Sequence, residues 1–193
     1  MTAPADLGPG PDRQTAESAA RLDQKAVHAG DLAGHDQRID RFDGGDDPRA
    51  RVEVLEWLMW QMGGLGPMLG QNGHFKLYAP EPVPYAIQRY EAEALRLYGV
   101  LDRQLERTGA CVAGDYSIAD MACYPWIVPH KRQGQLLDDF PDLKRWFETI
   151  AAKPSTVRAY AKGKELQTLR PSDITDAQKA LLFGQTAANT RAG

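Results

Sequence analysis

The sequence has little cysteine, no long uncharged apolar run and no excess of positive charge, and each shortage excludes a class of protein. Its 193 residues contain two cysteines, Cys111 and Cys123, without further partners or metal-ligand spacing. No signal peptide or disulfide framework is recognisable, so we expect both thiols to be reduced and the protein to be cytoplasmic. No apolar run reaches the ~18–20 residues that a membrane span needs.

The charge balance argues against nucleic-acid binding, and the scattered histidines argue against a metal site. With a net charge of -3 and an isoelectric point near 5.8, the chain lacks the basic face typical of nucleic-acid binding. The four histidines show no ligand spacing, so we expect no metal site. Neither cysteine has a cationic neighbour in the sequence that would lower the pKa of its thiol.

The composition changes at Asp47 and Pro48. Residues 1–46 contain few large apolar side chains and cannot bury enough area to offset an ordering entropy of about 1–2 kcal/mol per residue. We therefore expect residues 1–46 to be a low-complexity, disordered segment. Residues 47–170 are predicted to form a helical domain, and residues 171–193 a tail with a short helical turn.

From Pro48 onward, apolar residues recur at helical spacing, and no segment of length shows the strict alternation of a β-strand. The predicted fold class is therefore all-α, a helical bundle. The predicted helices are 48–62 continuing toward 75, 84–107, 117–128, 142–152, 156–166 and a turn within 173–183.

Residues 54–62 are apolar around nearly the whole helix and include Trp57 and Trp60. Such a helix must be covered on two sides, by its own core and by something else. The glycine-rich stretch 63–67, which ends in proline, requires a kink or lets another backbone come close. A glycine stretch inside a helical pattern argues against a phosphate-binding loop. An ordinary buried helix followed by a loop is the alternative interpretation.

Ser117 and Asp120 have the spacing of a helix capping box. The Ser117 hydroxyl can accept the N–H of Asp120, while the Asp120 carboxylate can accept the N–H of Ser117. The helix behind them is apolar on most faces, so its start is expected to be buried, where water cannot satisfy the free N–H groups. We interpret the box as a folding element without a catalytic role.

Four segments form a combined pattern: WLMWQMGGLGPM at 57–68, YAIQRY at 85–90, YSIAD at 116–120 and LFGQT at 182–186. Together they resemble the C-terminal helical domain of the cytosolic glutathione S-transferases, above all the bacterial Nu-class group of glutathione-dependent disulfide-bond reductases. The resemblance covers about residues 47–185 and implies the bundle of that C-terminal domain type.

The resemblance also implies a homodimer, because the first two helices of this domain form much of a two-fold interface in the family. That interface would include Trp57, Trp60, Gly63 and Gly64. The apolar surround of the first helix and the close approach that its glycines allow agree with this placement.

The family further implies that glutathione is the co-substrate and binds between an N-terminal thioredoxin-like domain and the helical one. Arg89 is the expected contact to a glutathione carboxylate, because a guanidinium can donate two parallel hydrogen bonds to it. A surface pair with Glu93 is the alternative. The expected lining of the adjacent substrate pocket is Met68, Gln71, Asn72 and Phe75, with core or surface positions as the alternative.

The resemblance ends before residue 47. Residues 1–46 are too short for a thioredoxin-like domain and contain no strand pattern, no Cys-x-x-Cys and no Glu-Ser pair in the right setting. No catalytic residue is assigned, because the family's activating residue lies in that half.

Three interpretations follow. The chain is a truncated transferase-like protein that is inactive alone, a non-catalytic dimerising helical interaction domain, or a full enzyme whose residues 1–46 come from a misread frame or start. The second substrate is not specified by the sequence.

Overall fold

The structure is a computed structural model that describes residues 42–166 and 174–184. No β-strand lies within these two ranges, which confirms the predicted all-α class. The α-helices of these ranges are α1 (Pro48–Trp60), α2 (Gly66–Leu77), α3 (Pro84–Thr108), α4 (Ile118–Ile127), α5 (Pro141–Ala151), α6 (Pro154–Leu166) and α7 (Asp176–Phe183). A π-helical turn, Gln61–Leu65, joins α1 to α2, and a 3-10 turn, Leu137–Asp139, precedes α5.

The predicted disordered segment falls almost entirely on residues 1–41, which lie outside the described residues, as do residues 167–173 and 185–193. The described chain is already packed at Phe42. Its carbonyl accepts the N–H of Ile118 at 2.8 Å, and the buried Asp43 pairs with Arg51 at 2.8 Å. The packed domain therefore includes residues that precede the predicted boundary at 47.

Local signals set the helix ends where the sequence placed them. Asp47 accepts the N–H of Arg49 at 2.9 Å, and Pro48 occupies the first position of α1. In the same way, α3 stops at Gly109, which adopts a φ of 81°. This left-handed conformation favours glycine and ends a helix.

The glycine-rich stretch forms the π-helical turn, so α1 runs on into α2. Such a turn inserts an extra residue into the helix, which accommodates the missing N–H of Pro67. The close approach lies at Gly66, where an added Cβ would be 2.6 Å from the Gln61 side-chain nitrogen and 3.1 Å from the Trp126 ring. At Gly63 an added Cβ would meet nothing within 4 Å.

The core lies where α3 and α4 meet α1, α2 and α5. Trp146 of α5 is 1 % exposed and is the largest fully buried side chain of the described residues. The apolar side chains that α3 buries recur at helical spacing and are Ala94, Leu97, Tyr98, Leu101 and Leu105.

Asp120 lies at the centre of this core with an exposure of 0 %. Its carboxylate accepts the N–H of Ser117 at 2.9 Å, and the Ser117 side chain in turn accepts the backbone N–H of Asp120, so the two form the capping box of α4. The Ser117 hydroxyl also donates to the Asp120 carboxylate at 3.2 Å. The carboxylate also accepts the N–H of Val112 at 2.9 Å and the indole N–H of Trp146 at 2.7 Å. Burial raises the pKa of the Asp120 carboxyl, and these donors oppose the shift.

A second, partly buried contact fixes the start of α5. The Asp102 carboxylate, on α3, accepts the N–H groups of Asp142 and Leu143 at 3.0 and 2.9 Å. A helix start has N–H groups without partners inside the helix, so Asp102 acts as a cap supplied by another helix. No described helix is long and apolar enough to cross a membrane.

Replacing Asp120 by alanine is expected to destabilise the domain more than replacing Ser117. Asp120→Ala leaves several buried donors without an acceptor and should lower the free energy of unfolding by about 3–4 kcal/mol. Ser117→Ala removes the cap alone and should cost about 1–2 kcal/mol. Urea unfolding measures both, and equal midpoint shifts would contradict the central role of Asp120.

Gly66→Ala is expected to lower the free energy of unfolding by about 1–2 kcal/mol, because overpacking against Gln61 and Trp126 exceeds the gain in helix propensity. Gly73→Ala in α2 is the matched control, since its Cβ would meet nothing within 4 Å. The control should gain up to about 1 kcal/mol. Thermal unfolding compares them, and a stabilised Gly66→Ala variant would show that the close approach is not constraining.

Candidate functional site

Arg89 lies in the second turn of α3, with its side chain 56 % exposed. Its guanidinium is 3.7 Å from the Glu93 carboxylate, which is longer than a hydrogen bond. Arg96 instead donates two hydrogen bonds to Glu93, at 2.9 and 2.7 Å. The contact expected under the alternative interpretation therefore exists, but Glu93 is held mainly by Arg96.

The electrostatics of Glu93 agree with this geometry. Hydrogen bonding from Arg96 holds the pKa of the Glu93 carboxyl below its ordinary value, and the charges of Arg96 and Arg89 add to the effect. Glu93 therefore stays ionised and hydrogen-bonded to Arg96. The guanidinium of Arg89 can accordingly donate to an external carboxylate and give up only its 3.7 Å ion pair with Glu93.

Three of the four predicted pocket residues are exposed or half-buried. Phe75 is half-buried, and its ring stacks on Tyr90 with centroids 5.5 Å apart and a 12° angle between the planes. Tyr90 follows Arg89 in the chain, so the stack places Phe75 beside this part of α3. Gln71 is exposed on α2, whereas Met68 is half-buried against the core.

The structure places Asn72 inside the protein, which agrees with the alternative of a core position for this residue. Its exposure is 0 %, and its side-chain amide donates to the carbonyls of Gln133 at 3.2 Å and Tyr90 at 3.5 Å. Asn72 therefore ties α2 to α3 and to the loop after α4. Helical spacing could not show this, because the partners come from segments far away in the sequence.

The loop after α4 carries a polar network that sequence reasoning missed. Tyr98 donates its hydroxyl to the Gln133 side chain at 2.6 Å, and Gln133 donates to the Trp126 carbonyl at 2.8 Å. Burial raises the pKa of Tyr98, so its hydroxyl remains a donor. Beside it, Lys76 pairs with Glu91 at 3.0 Å. The Lys76–Glu91 pair fixes α2 against α3, and the Tyr98–Gln133 hydrogen bond fixes the loop after α4 against α3.

The predicted interface residues lie on a helix with two apolar sides. Trp57 and Trp60 are half-buried and pack against the core, with their ring centroids 5.0 Å apart. On the other side of α1 and the π-helical turn lies a stripe, the α1 stripe, in which every side chain is at least 42 % exposed. Its members are Val52, Leu55, Met59 and Met62. Gly63 and Gly64 have open space at their Cβ positions, apart from Leu97 at 3.9 Å from Gly64.

Other candidate chemistry lies away from these residues or is buried. Cys111 and Cys123 are free and buried, and burial raises the pKa of both thiols, so neither is a nucleophile at neutral pH. Cavities of about 490 and 420 Å³ are lined by residues outside the predicted site. In the described ranges, no group of three or more His, Cys, Asp or Glu side chains could hold a metal ion.

Comparison with known proteins places these features in a family. Residues 77–154 match the family profile of the glutathione S-transferase C-terminal domain. The chain is 48 % identical over 118 residues to disulfide-bond oxidoreductase YfcG of Escherichia coli, covering 61 % of this chain and 55 % of that protein. It is 32 % identical over 171 residues to the glutathione S-transferase-like protein tpcF of Aspergillus fumigatus, covering 82 % and 73 %.

A solved structure of a glutathione transferase is also similar to this chain. The glutathione transferase of Burkholderia graminis, with two glutathione molecules bound per subunit, matches with a TM-score of 0.55 and 34 % identity, over 76 % of this chain and 59 % of that one. The chain spans about half the length of the Escherichia coli oxidoreductases that it matches, YfcG and YghU, at 55 % and 41 %.

Proposed function

The chain belongs to the glutathione S-transferase family, and we propose that its helical domain forms one wall of a glutathione site used in disulfide reduction or group transfer. The 48 % identity to a disulfide-bond oxidoreductase and the glutathione bound in the Burkholderia graminis structure support this proposal. The reaction requires reduced glutathione, so the proposed location is the cytoplasm.

The observation that carries the proposal is the arrangement of Arg89, Glu93 and Arg96. Arg96 satisfies Glu93 with two hydrogen bonds, whereas Arg89 stays 3.7 Å from it and keeps its side chain 56 % exposed. A guanidinium in this state suits a carboxylate such as those of glutathione, because the planar fork matches the two carboxylate oxygens.

We further propose that the 193-residue chain binds glutathione weakly and does not catalyse turnover by itself. A charge-assisted hydrogen bond contributes about 1.5–3 kcal/mol, whereas micromolar binding requires ~8 kcal/mol. Turnover also requires a group that stabilises the glutathione thiolate. Within the described residues we assign no side chain to that role, and both cysteines are buried.

A non-catalytic dimerising domain is the second candidate function, and the α1 stripe favours it. Large apolar side chains at 42–59 % exposure on one helix form a surface that water solvates poorly. A two-fold axis would place this stripe against its own copy, with Trp57, Trp60, Gly63 and Gly64 at or beside the contact. Both candidate functions include a homodimer, but only the first includes glutathione binding. A measurement of glutathione binding therefore distinguishes them.

Arg89→Gln is expected to weaken glutathione binding by about 10-fold or more, because it removes the charge-assisted fork. Arg103→Gln is the matched control, since it removes the same charge from α3 without touching the Glu93 group. Calorimetry at millimolar glutathione measures both. Equal affinities in Arg89→Gln and Arg103→Gln would contradict the proposed role of Arg89.

A disulfide-reductase assay with glutathione and a small disulfide tests catalysis by the purified chain. The expected rate equals that of the reaction without protein. Turnover above that rate, or micromolar glutathione binding, would overturn the proposal that the chain is inactive alone and would support a complete enzyme.

The chain is expected to sediment as a dimer, and Met59→Glu should convert it to a monomer by placing like charges across the two-fold axis. Leu136→Glu is the control, because Leu136 is 62 % exposed but lies outside the α1 stripe. Analytical ultracentrifugation at micromolar concentrations distinguishes the two. A wild-type monomer, or a control that dissociates equally, would exclude this interface.

A further inference from the structure

Glu93 lies between two arginines on one face of α3. Arg96, three residues further along the helix, donates to both oxygens of the Glu93 carboxylate, at 2.7 and 2.9 Å. Arg89, four residues earlier, has its guanidinium 3.7 Å from one of the same two oxygens. Both spacings bring side chains together on a helix surface. Two arginines are therefore within reach of one carboxylate, and in the structure Arg96 holds it.

The exposures of the three side chains show why the Glu93 carboxylate needs such a partner. The Glu93 side chain is 15 % exposed, whereas the side chains of Arg89 and Arg96 are 56 % and 59 % exposed. A charged group with so little access to water is stable only when another group donates to it. If Arg96 were removed, Glu93 would lose two donors, and the guanidinium of Arg89 lies close enough to replace them.

Such a replacement would change what Arg89 can bind. A guanidinium that donates two parallel hydrogen bonds to Glu93 has those N–H groups occupied, so an external carboxylate must first displace Glu93. In the structure the paired hydrogen bonds to Glu93 come from Arg96, and the side chain of Arg89 is left facing solvent. Glu93 is therefore a competitor for Arg89 that belongs to the same helix.

We infer that Arg96 is a positioning residue for anion binding, which holds both oxygens of Glu93 and so prevents Glu93 from competing with the ligand carboxylate for Arg89. The inference rests on the proposed function, in which Arg89 holds a carboxylate of glutathione. The strength of the Arg96–Glu93 pair then sets the fraction of molecules in which Arg89 is available. The apparent affinity for glutathione scales with that fraction.

Arg96→Gln is expected to weaken glutathione binding by about threefold to fivefold, because a surface ion pair between Glu93 and Arg89 then occupies the guanidinium in most molecules. In the Glu93→Gln background the competitor is absent, so the same change should cost no more affinity than Arg103→Gln costs in the wild type. NMR titration of the full chain measures such weak binding. An equal loss from Arg96→Gln in both backgrounds would overturn the inference, because it would show an effect of charge alone.

Arg96→Lys separates the geometry of the guanidinium from its charge. A lysine side chain keeps the positive charge at this position, but its single nitrogen does not match both oxygens of Glu93 in parallel. The affinity for glutathione should therefore lie between the affinities of the wild type and Arg96→Gln. An affinity equal to that of the wild type would contradict positioning through the paired hydrogen bonds.

The Nε–H signal of Arg89 in a proton–nitrogen NMR spectrum reports its pairing without any ligand, with assignment by Arg89→Gln. The signal should shift in Arg96→Gln, because Arg89 then pairs with Glu93. It should return toward its wild-type position when Glu93→Gln is added to Arg96→Gln. An Arg89 signal that does not respond to Arg96→Gln would overturn the inference.

Failure of this inference and failure of the proposed function give different results. If Arg96→Gln shifts the Arg89 signal but Arg89→Gln leaves glutathione affinity unchanged, the control of Arg89 by Arg96 stands and the proposed glutathione contact fails. If Arg89→Gln weakens glutathione binding while Arg96→Gln changes neither the Arg89 signal nor the affinity, the proposed contact stands and the role of Arg96 fails.

Discussion

The buried carboxylate of Asp120 is the interaction on which the rest of the domain depends. It is 0 % exposed, and it accepts hydrogen bonds from the loop before α4, from the cap of α4 and from Trp146 of α5. Burial disfavours the charge of Asp120 and raises the pKa of its carboxyl, whereas the hydrogen bonds that it accepts lower that pKa. The buried carboxylate is therefore stabilised by donors that the fold already holds in place. Three segments are thereby fixed together at one point, with the interhelical cap by Asp102 adding a second tie to α5.

A second region of the bundle is held together by hydrogen bonds between neutral side chains and backbone groups. Asn72, Tyr98 and Gln133 tie α2, α3 and the loop after α4 together without a buried charge. Because these contacts hold α2 and α3 rigidly side by side, the surface above them presents Arg89 and the Phe75–Tyr90 stack in a fixed relation. Among the described residues the side-chain oxygen of Asn72 is buried without a hydrogen-bond partner, whereas its amide nitrogen donates to two carbonyls of this network.

The surface divides into parts with different chemistry. The part of α3 that carries Arg89, Glu93 and Arg96 combines an exposed guanidinium with a carboxylate already paired to Arg96. This combination favours an anionic ligand. The α1 stripe is apolar and favours a second copy of the chain. At the end of α2, the His74 and Tyr78 rings contact Phe183. The proposed anion binding and the proposed self-association thus involve separate residues of one bundle.

The sequence by itself determined the all-α class, the approximate helix ends and the capping box of Ser117 and Asp120. These features depend on contacts within a few residues, such as the Asp47 cap, so the spacing is sufficient to predict them. Resemblance to a family, and not periodicity, singled out Arg89. Tertiary structure alone decided that Asn72 is buried, that Asp120 reaches Trp146, that Asp102 caps α5 and that Gly66 is the glycine the packing requires. Each of these involves partners distant in the chain or packed on another helix, and their meeting depends on how the helices pack, which no local pattern encodes.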